Sequence, residues 1–198
     1  MNFYLLKEKS GTNVLFKTTG EDYNRRKCGK CGGVQSIIKN PLKVQLRDDK
    51  TSDFYKMIGN NIIGSGIQDI LIRHNFKGFK LSPIEIEVKN EERLLDKELL
   101  NLTRIEAIGK GGFLQDHLGN KVPHCDNCGT FLNILRISEG LSVDEKEWDG
   151  SDIFYFNNWY GNLIISEAVY NVLNESNTQN VRFINLREFS NDYRRSLK

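Results

Sequence analysis

A chain of 198 residues with 38% apolar and 27% charged residues has the balance of a folded globular protein, not of a disordered one. Its 28 basic residues nearly cancel its 26 acidic ones, and a net charge of +2 excludes a protein built mainly to grip duplex nucleic acid. No run reaches the roughly 20 apolar residues of a membrane span. Phe3, Tyr4, Leu5 and Leu6 fall short of the roughly 7–15 apolar residues of a secretory leader. The chain therefore reads as cytoplasmic, without a membrane partner. In that compartment paired cysteines read as metal ligands or redox groups, not as a disulfide framework.

The first marked feature is KCGKCGG, with Cys28, Cys31 and the trailing Gly32. It sits in a basic stretch over residues 24–50, where Arg25, Arg26, Lys27, Lys30, Lys39, Lys43, Arg47 and Lys50 face only Asp48 and Asp49. Asn61, Ile62 and Ile63 then read as a short strand, with Ser65 as the helix N-cap. Ile67, Ile70 and Leu71 form the buried face of one amphipathic helix, and Phe79 and Leu81 start a second strand beyond Gly78. Glu85-Ile86-Glu87-Val88 alternates like a strand end. The leucine-rich residues up to Leu102 read as a short helix or an irregular connector. Lys110-Gly111-Gly112 lacks the rest of a phosphate loop and reads as a turn.

The second half repeats the order. HCDNCGT carries Cys125, Cys128 and Gly129. An acidic stretch over residues 139–152 holds Glu139, Asp144, Glu145, Glu147, Asp149 and Asp152 against Lys146. Within WDGSDIF, Asp149-Gly150 signals a turn, flanked by Trp148 and Phe154. Leu163, Ile164 and Ile165 read as a strand, Ser166 as an N-cap, and Ala168, Val169, Val172 and Leu173 as a helix face. Val181, Phe183 and Ile184 make the closing strand.

The four cysteines are all accounted for by the two CxxCG knuckles. This spacing lets two thiolates meet one tetrahedral ion from a tight turn, and the glycine lets backbone N–H groups turn toward the sulfurs. The leading expectation is one structural Zn2+ per chain, held by Cys28, Cys31, Cys125 and Cys128, with no position left open for substrate. Two separate metal sites, each completed by other residues, are a second reading; His124 beside Cys125 could be a ligand, but a partly exposed loop histidine is the favoured reading. Redox catalysis is a third; the glycines after Cys31 make a poor start for the helix a thioredoxin-like pair needs.

The expected fold class is α+β, with two related strand–helix–strand units, each preceded by a knuckle and joined by the shared zinc. The units are drawn as residues 1–102 and 103–198, packed as one compact body. Chance similarity of two generic segments is the competing reading. His74, His117 and His124 show no spacing that suggests a nucleophile–base pair, so the chain does not read as an enzyme.

The two CxxCG pairs, the WDGSDIF segment and the closing strand–Ser–helix–strand up to residues 186–189 resemble the double-CXXCG motif proteins of myxobacteria and other bacteria. The resemblance spans most of the chain, with anchors near residues 28–33, 125–129 and 148–189. It implies an immunity (antitoxin-like) protein that binds a cognate, contact-delivered protein toxin and neutralises it by occlusion. The motif residues it matches are Cys28, Cys31, Cys125 and Cys128, with Trp148, Asp149, Gly150 and Asp152. The partner surface is read from charge and aromatic character, as Glu145, Glu147, Asp149 and Asp152 with Trp159 and Tyr160. Structural roles compete for both groups: a rigid corner at WDGSDIF, and cover for the core edge at Trp159 and Tyr160. The alternative function is a zinc-ribbon nucleic-acid-binding or regulatory protein using the basic stretch, against which a solvated rim around a metal turn is the plainer reading.

Overall fold

The structure is a computed structural model, and it describes residues 1–9, 23–38, 41–46, 52–57, 59–88, 101–130 and 139–190. Leu94, Leu95, Leu99 and Leu100 of the expected connector lie outside the described residues, as do Lys39, Arg47 and Lys50 of the basic stretch.

The chain is mixed α+β, mostly strands with two α-helices among the described residues. In order these are β1 (Phe3–Glu8), β2 (Tyr23–Lys27), β3 (Val34–Ile38), β4 (Leu42–Leu46), β5 (Phe54–Met57), β6 (Asn60–Ile63), α1 (Ser65–Arg73), β7 (Phe79–Val88), β8 (Thr103–Ala107) and β9 (Gly109–Lys110). There follow β10 (Gln115–Asp116), β11 (Leu141–Ser142), β12 (Ile153–Phe156), β13 (Trp159–Ser166), α2 (Glu167–Glu175) and β14 (Val181–Asn185), closed by a 3-10 turn at Leu186–Glu188. Two five-stranded sheets carry the fold, in the orders β14-β1-β13-β12-β9 and β4-β7-β8-β6-β5. Two small ribbons, β2–β3 and β10–β11, stand outside them.

The expected boundary at residue 102 does not separate these sheets. β1 lies between β13 and β14, antiparallel to both, and β8 lies between β6 and β7, antiparallel to both. Each half thus contributes a central strand to a sheet made mostly by the other. Pairing partners of this kind are set by long-range packing, which local sequence pattern does not reveal.

Helix α1 buries Ile67 and Leu71, and α2 buries Val169 and Leu173. In both cases the two residues are four apart and share a face. These four join Phe54, Ile63, Ile105, Ile153, Leu163 and Ile165 in one hydrophobic cluster, so both sheets and both helices share a core. Alternation then dresses the other face of the first sheet. Phe3 and Leu5 of β1, Phe154 and Phe156 of β12 and Ile164 of β13 pack with Leu114, Val122, Leu141, Leu186 and Phe189. Among the described residues no helix is long and apolar enough to cross a membrane.

The helix starts differ. Ser166 caps α2, its Oγ accepting from Val169 N at 3.5 Å. Ser65, expected to do the same for α1, is instead the first helical residue; the cap is Gly64, which has no side chain to offer. The turn expected at Lys110-Gly111-Gly112 is also replaced: Lys110 ends β9, parallel to β12, and Gly111 bridges to Trp148.

Candidate metal centre

The two knuckles fold alike. Cys28 N donates to Gly33 O at 2.8 Å and Gly32 N returns to Cys28 O at 2.9 Å. Cys125 N donates to Thr130 O at 2.8 Å and Gly129 N returns to Cys125 O at 2.7 Å. Gly32 and Gly129 take φ of 72° and 73°, a left-handed conformation that glycine adopts without steric cost. Each turn therefore presents its two sulfurs on one side.

The fold sets these turns against each other. The four Sγ atoms of Cys28, Cys31, Cys125 and Cys128 all lie within 4.8 Å of one another. Cys31 Sγ is 3.5 Å from Cys128 Sγ, and Cys28 Sγ is 4.0 Å from Cys125 Sγ. A tetrahedron of 2.3 Å metal–sulfur bonds has edges of about 3.8 Å. The donor set and its spacing fit one metal ion.

The surroundings favour thiolates. Gly33 N–H donates to Cys31 Sγ and Asn127 Nδ2 to Cys28 Sγ, each at 3.3 Å. Thr130 Oγ1 lies 3.3 Å from Cys128 Sγ and donates to it once the sulfur is ionised. The Asn127 amide, followed by N–H groups of the first knuckle, draws the Cys28 thiol down to about 6. Thr130 leads the lowering at Cys128. Cys31 goes the other way, up to about 12: the Gly33 N–H favours its thiolate, but the Cys128 thiol, burial and the remaining cysteines outweigh it. Four thiols this close cannot all ionise on their own, and a divalent ion between them removes the conflict.

Two elements of this centre were open to a closer reading of the sequence. Lys30 lies between the first two cysteines and Asp126 between the second two, and they form a 2.6 Å ion pair across the knuckles. Asn127, the main support of Cys28, is Asp126's neighbour within the same CDNC. His124 is not part of the cysteine cluster. Its Nδ1 lies 3.0 Å from Val122 O, and its ring stacks on Phe113 with centroids 4.4 Å apart.

The residues expected to meet a partner divide in two. Asp149 Oδ2 accepts from Lys110 N at 2.9 Å and its Oδ1 from Ser151 N at 3.0 Å. Asp152 accepts from Lys77 N at 2.9 Å and from the Ser166 hydroxyl at 3.2 Å. Glu147 accepts from Phe113 N and pairs with Lys121 at 2.7 Å. Lys121 first, then the Phe113 N–H, holds its carboxyl below the usual range. All three acids fold back on backbone N–H groups of neighbouring segments, and Asp152 alone reaches the segment before β7. Trp159 packs edge-on against Phe189, centroids 5.4 Å apart. Glu145 is exposed, and Tyr160 is 56% exposed beside Tyr155.

WDGSDIF is thus a joint. Trp148 Nε1 donates to Ser151 O at 3.1 Å, and Ile153 N to Lys77 O at 2.9 Å. Gly78 and Gly109 lie so close to Ser151 and the Ile153 carbonyl that a Cβ on either would collide with them. Tyr160 lines a cleft of about 270 Å³ between the sheets with Tyr155, Asn61, Arg104 and Glu106. Lys56 spans the sheets nearby, donating to Asn61 Oδ1 at 2.9 Å and to the Gly161 carbonyl. Nothing in the local sequence of Lys56 signals this role.

No family model matches this chain, and no match is found among curated proteins.

Proposed function

We propose that this chain is a zinc-stapled immunity protein that binds a cognate bacterial protein toxin and blocks it by occlusion. The observation that carries this reading is the closed cysteine cluster. Four protein thiolates fill a tetrahedral ion, so a Zn2+ bound there supplies cohesion between distant parts of the chain and has no position for substrate. Such a protein acts through a preformed surface, not through chemistry. The family resemblance rests on the two CxxCG pairs and WDGSDIF, and these are the segments that form the metal centre and the inter-sheet joint.

The reading carries three further statements. The ion is Zn2+, one per chain, in the reducing cytoplasm, in keeping with four free thiols gathered at one point. The two halves are related units. In each, a hairpin (β5–β6 or β12–β13) leads through a helix to a strand parallel to the hairpin's second strand, and these two flank a third, antiparallel strand. The partner surface is the edge around Tyr160, with Glu145 on the acidic loop; an exposed tyrosine packed on the half-buried Tyr155 beside a cleft suits a protein partner.

A tagged pull-down from the native host, with the captured protein identified by mass spectrometry, tests the reading. The expected result is a stoichiometric partner that kills cells when expressed alone and is harmless when co-expressed with this chain. A partner without toxicity, or toxicity that co-expression leaves unchanged, overturns it.

A further inference from the structure

The ribbon β2–β3 carries a chemistry that toxin binding does not use. From Tyr23 to Ile38 the sequence holds Arg25, Arg26, Lys27 and Lys30 and no acidic residue. Lys30 is taken by Asp126. Arg25, Arg26 and Lys27 are consecutive and exposed, and among the described residues no carboxylate pairs with them. The ribbon pairs with no third described strand, so its hydrogen-bonded edges and both its faces are not fixed into either sheet.

Beside the ribbon is a cleft of about 420 Å³, lined by Arg26, Lys27, Gln35, Asn127, the knuckle glycines Gly29 and Gly33, and Cys28 and Cys128 of the metal centre. Arg26 and Gln35 face each other in register across the ribbon, which puts both side chains on one face. Gln35 Nε2 donates to Cys128 O at 3.2 Å, tying the ribbon to the second knuckle. On the face that Arg26 shares with Gln35, a guanidinium and two amides thus stand beside the ligand sulfurs, with no carboxylate in the lining. Strand alternation sends Arg25 and Lys27 to one face and Arg26 to the other, so the cations straddle the ribbon and suit an extended polyanion better than a single small one. A two-stranded ribbon is also a shape that nucleic-acid grooves admit.

We propose that the β2–β3 ribbon and its cleft bind the phosphodiester backbone of a nucleic acid, with Arg25, Arg26 and Lys27 as the phosphate contacts. The competing role for these cations is to offset the double negative charge of four thiolates around one divalent ion. That role predicts an effect on metal retention and none on nucleic acid.

The test is fluorescence anisotropy of the whole zinc-loaded chain with labelled single-stranded RNA, single-stranded DNA and duplex DNA of equal length, from about 50 to 200 mM salt. Binding to at least one probe is expected, with log K falling against log salt by about 2 to 3 for three phosphate contacts. Arg25→Ala, Arg26→Ala and Lys27→Ala together should abolish the binding and leave one zinc per chain. Arg26→Ala alone should reduce the slope by about 1. The control replaces Arg73, Lys77 and Lys80, which are exposed near the end of α1 and the start of β7, with alanine and should bind as the parent does. Which probe binds best identifies the source as RNA or DNA. Absence of binding to all three probes at low salt overturns the proposal. So does binding that survives the triple substitution, or a triple variant that loses only its zinc.

Discussion

Cys31 and Cys128 stand 97 residues apart in the chain and bring their sulfurs to 3.5 Å. A metal ion between their knuckles closes a loop of about half the chain, and closing a loop of that size constrains the unfolded chain more than the folded one. Cys28→Ser should therefore lose the metal and lower stability by about 2–5 kcal/mol, the range of a lost cross-link. Chelation of the parent protein should shift its urea midpoint in the same direction. Metal content by mass spectrometry beside the urea transition checks both. Stoichiometric metal with an unchanged midpoint in Cys28→Ser would contradict a shared centre.

The knuckles were legible because each is set by local hydrogen bonds and one glycine, all within a few residues of sequence. The helices were legible for a similar reason: Ile67 and Leu71, like Val169 and Leu173, announce a face at a spacing of four. The central positions of β1 and β8 were not legible, since a short apolar strand fits beside many others until the core selects its neighbours. The fold-back of the WDGSDIF acids was not legible for another reason. A carboxylate in a loop carries no mark of whether it faces solvent or folds back on backbone N–H groups, as Asp149 does on Lys110 and Ser151.

Space, not backbone conformation, makes Gly109 hard to replace. Its φ is not positive, yet a Cβ there would fall inside contact distance of the Ile153 carbonyl and the Ser151 side chain. Gly109→Ala should cost about 3 kcal/mol as an overpacking change at a backbone wall. Gly150 is the converse, with φ of 81° and open space around it, so Gly150→Ala should cost only the left-handed penalty of about 1–2 kcal/mol. Thermal melts of the two variants should rank in that order. Equal effects would mean that the corner has room that its packing does not show.

Asp149 and Tyr160 separate structural from partner-facing roles. Asp149→Lys removes the carboxylate that accepts from two backbone N–H groups and should destabilise by about 1–3 kcal/mol, with or without a partner. Tyr160→Ala removes a ring that is more than half exposed and should change stability by less than about 1 kcal/mol. If the Tyr155–Tyr160 edge meets the partner, Tyr160→Ala weakens binding by at least tenfold while the protein stays folded. Calorimetric titration against the captured partner decides this. Unchanged affinity removes this edge from the interface.

Lys56 links the sheets at a measurable cost. Its ammonium sits among Asn61 Oδ1 and the Gly161 carbonyl, and burial first, then Lys7, holds its pKa down to about 8 against the ordinary 10.5. The unfolded chain therefore binds more protons than the folded one between those values, and unfolding takes up a proton there. Stability must rise with pH across that window and be lowest, and flat in this term, below about pH 8. Melting temperatures taken from pH 7 to 9.5, below the tyrosine range near 10, should climb for the parent protein. Lys56→Met should flatten the climb and raise the melting temperature at pH 7, because Asn61 Nδ2 still donates to the Gly161 carbonyl at 3.3 Å. A parent curve that falls over this range, or a Lys56→Met curve with the same slope, would show that the amine is solvated and bears no penalty.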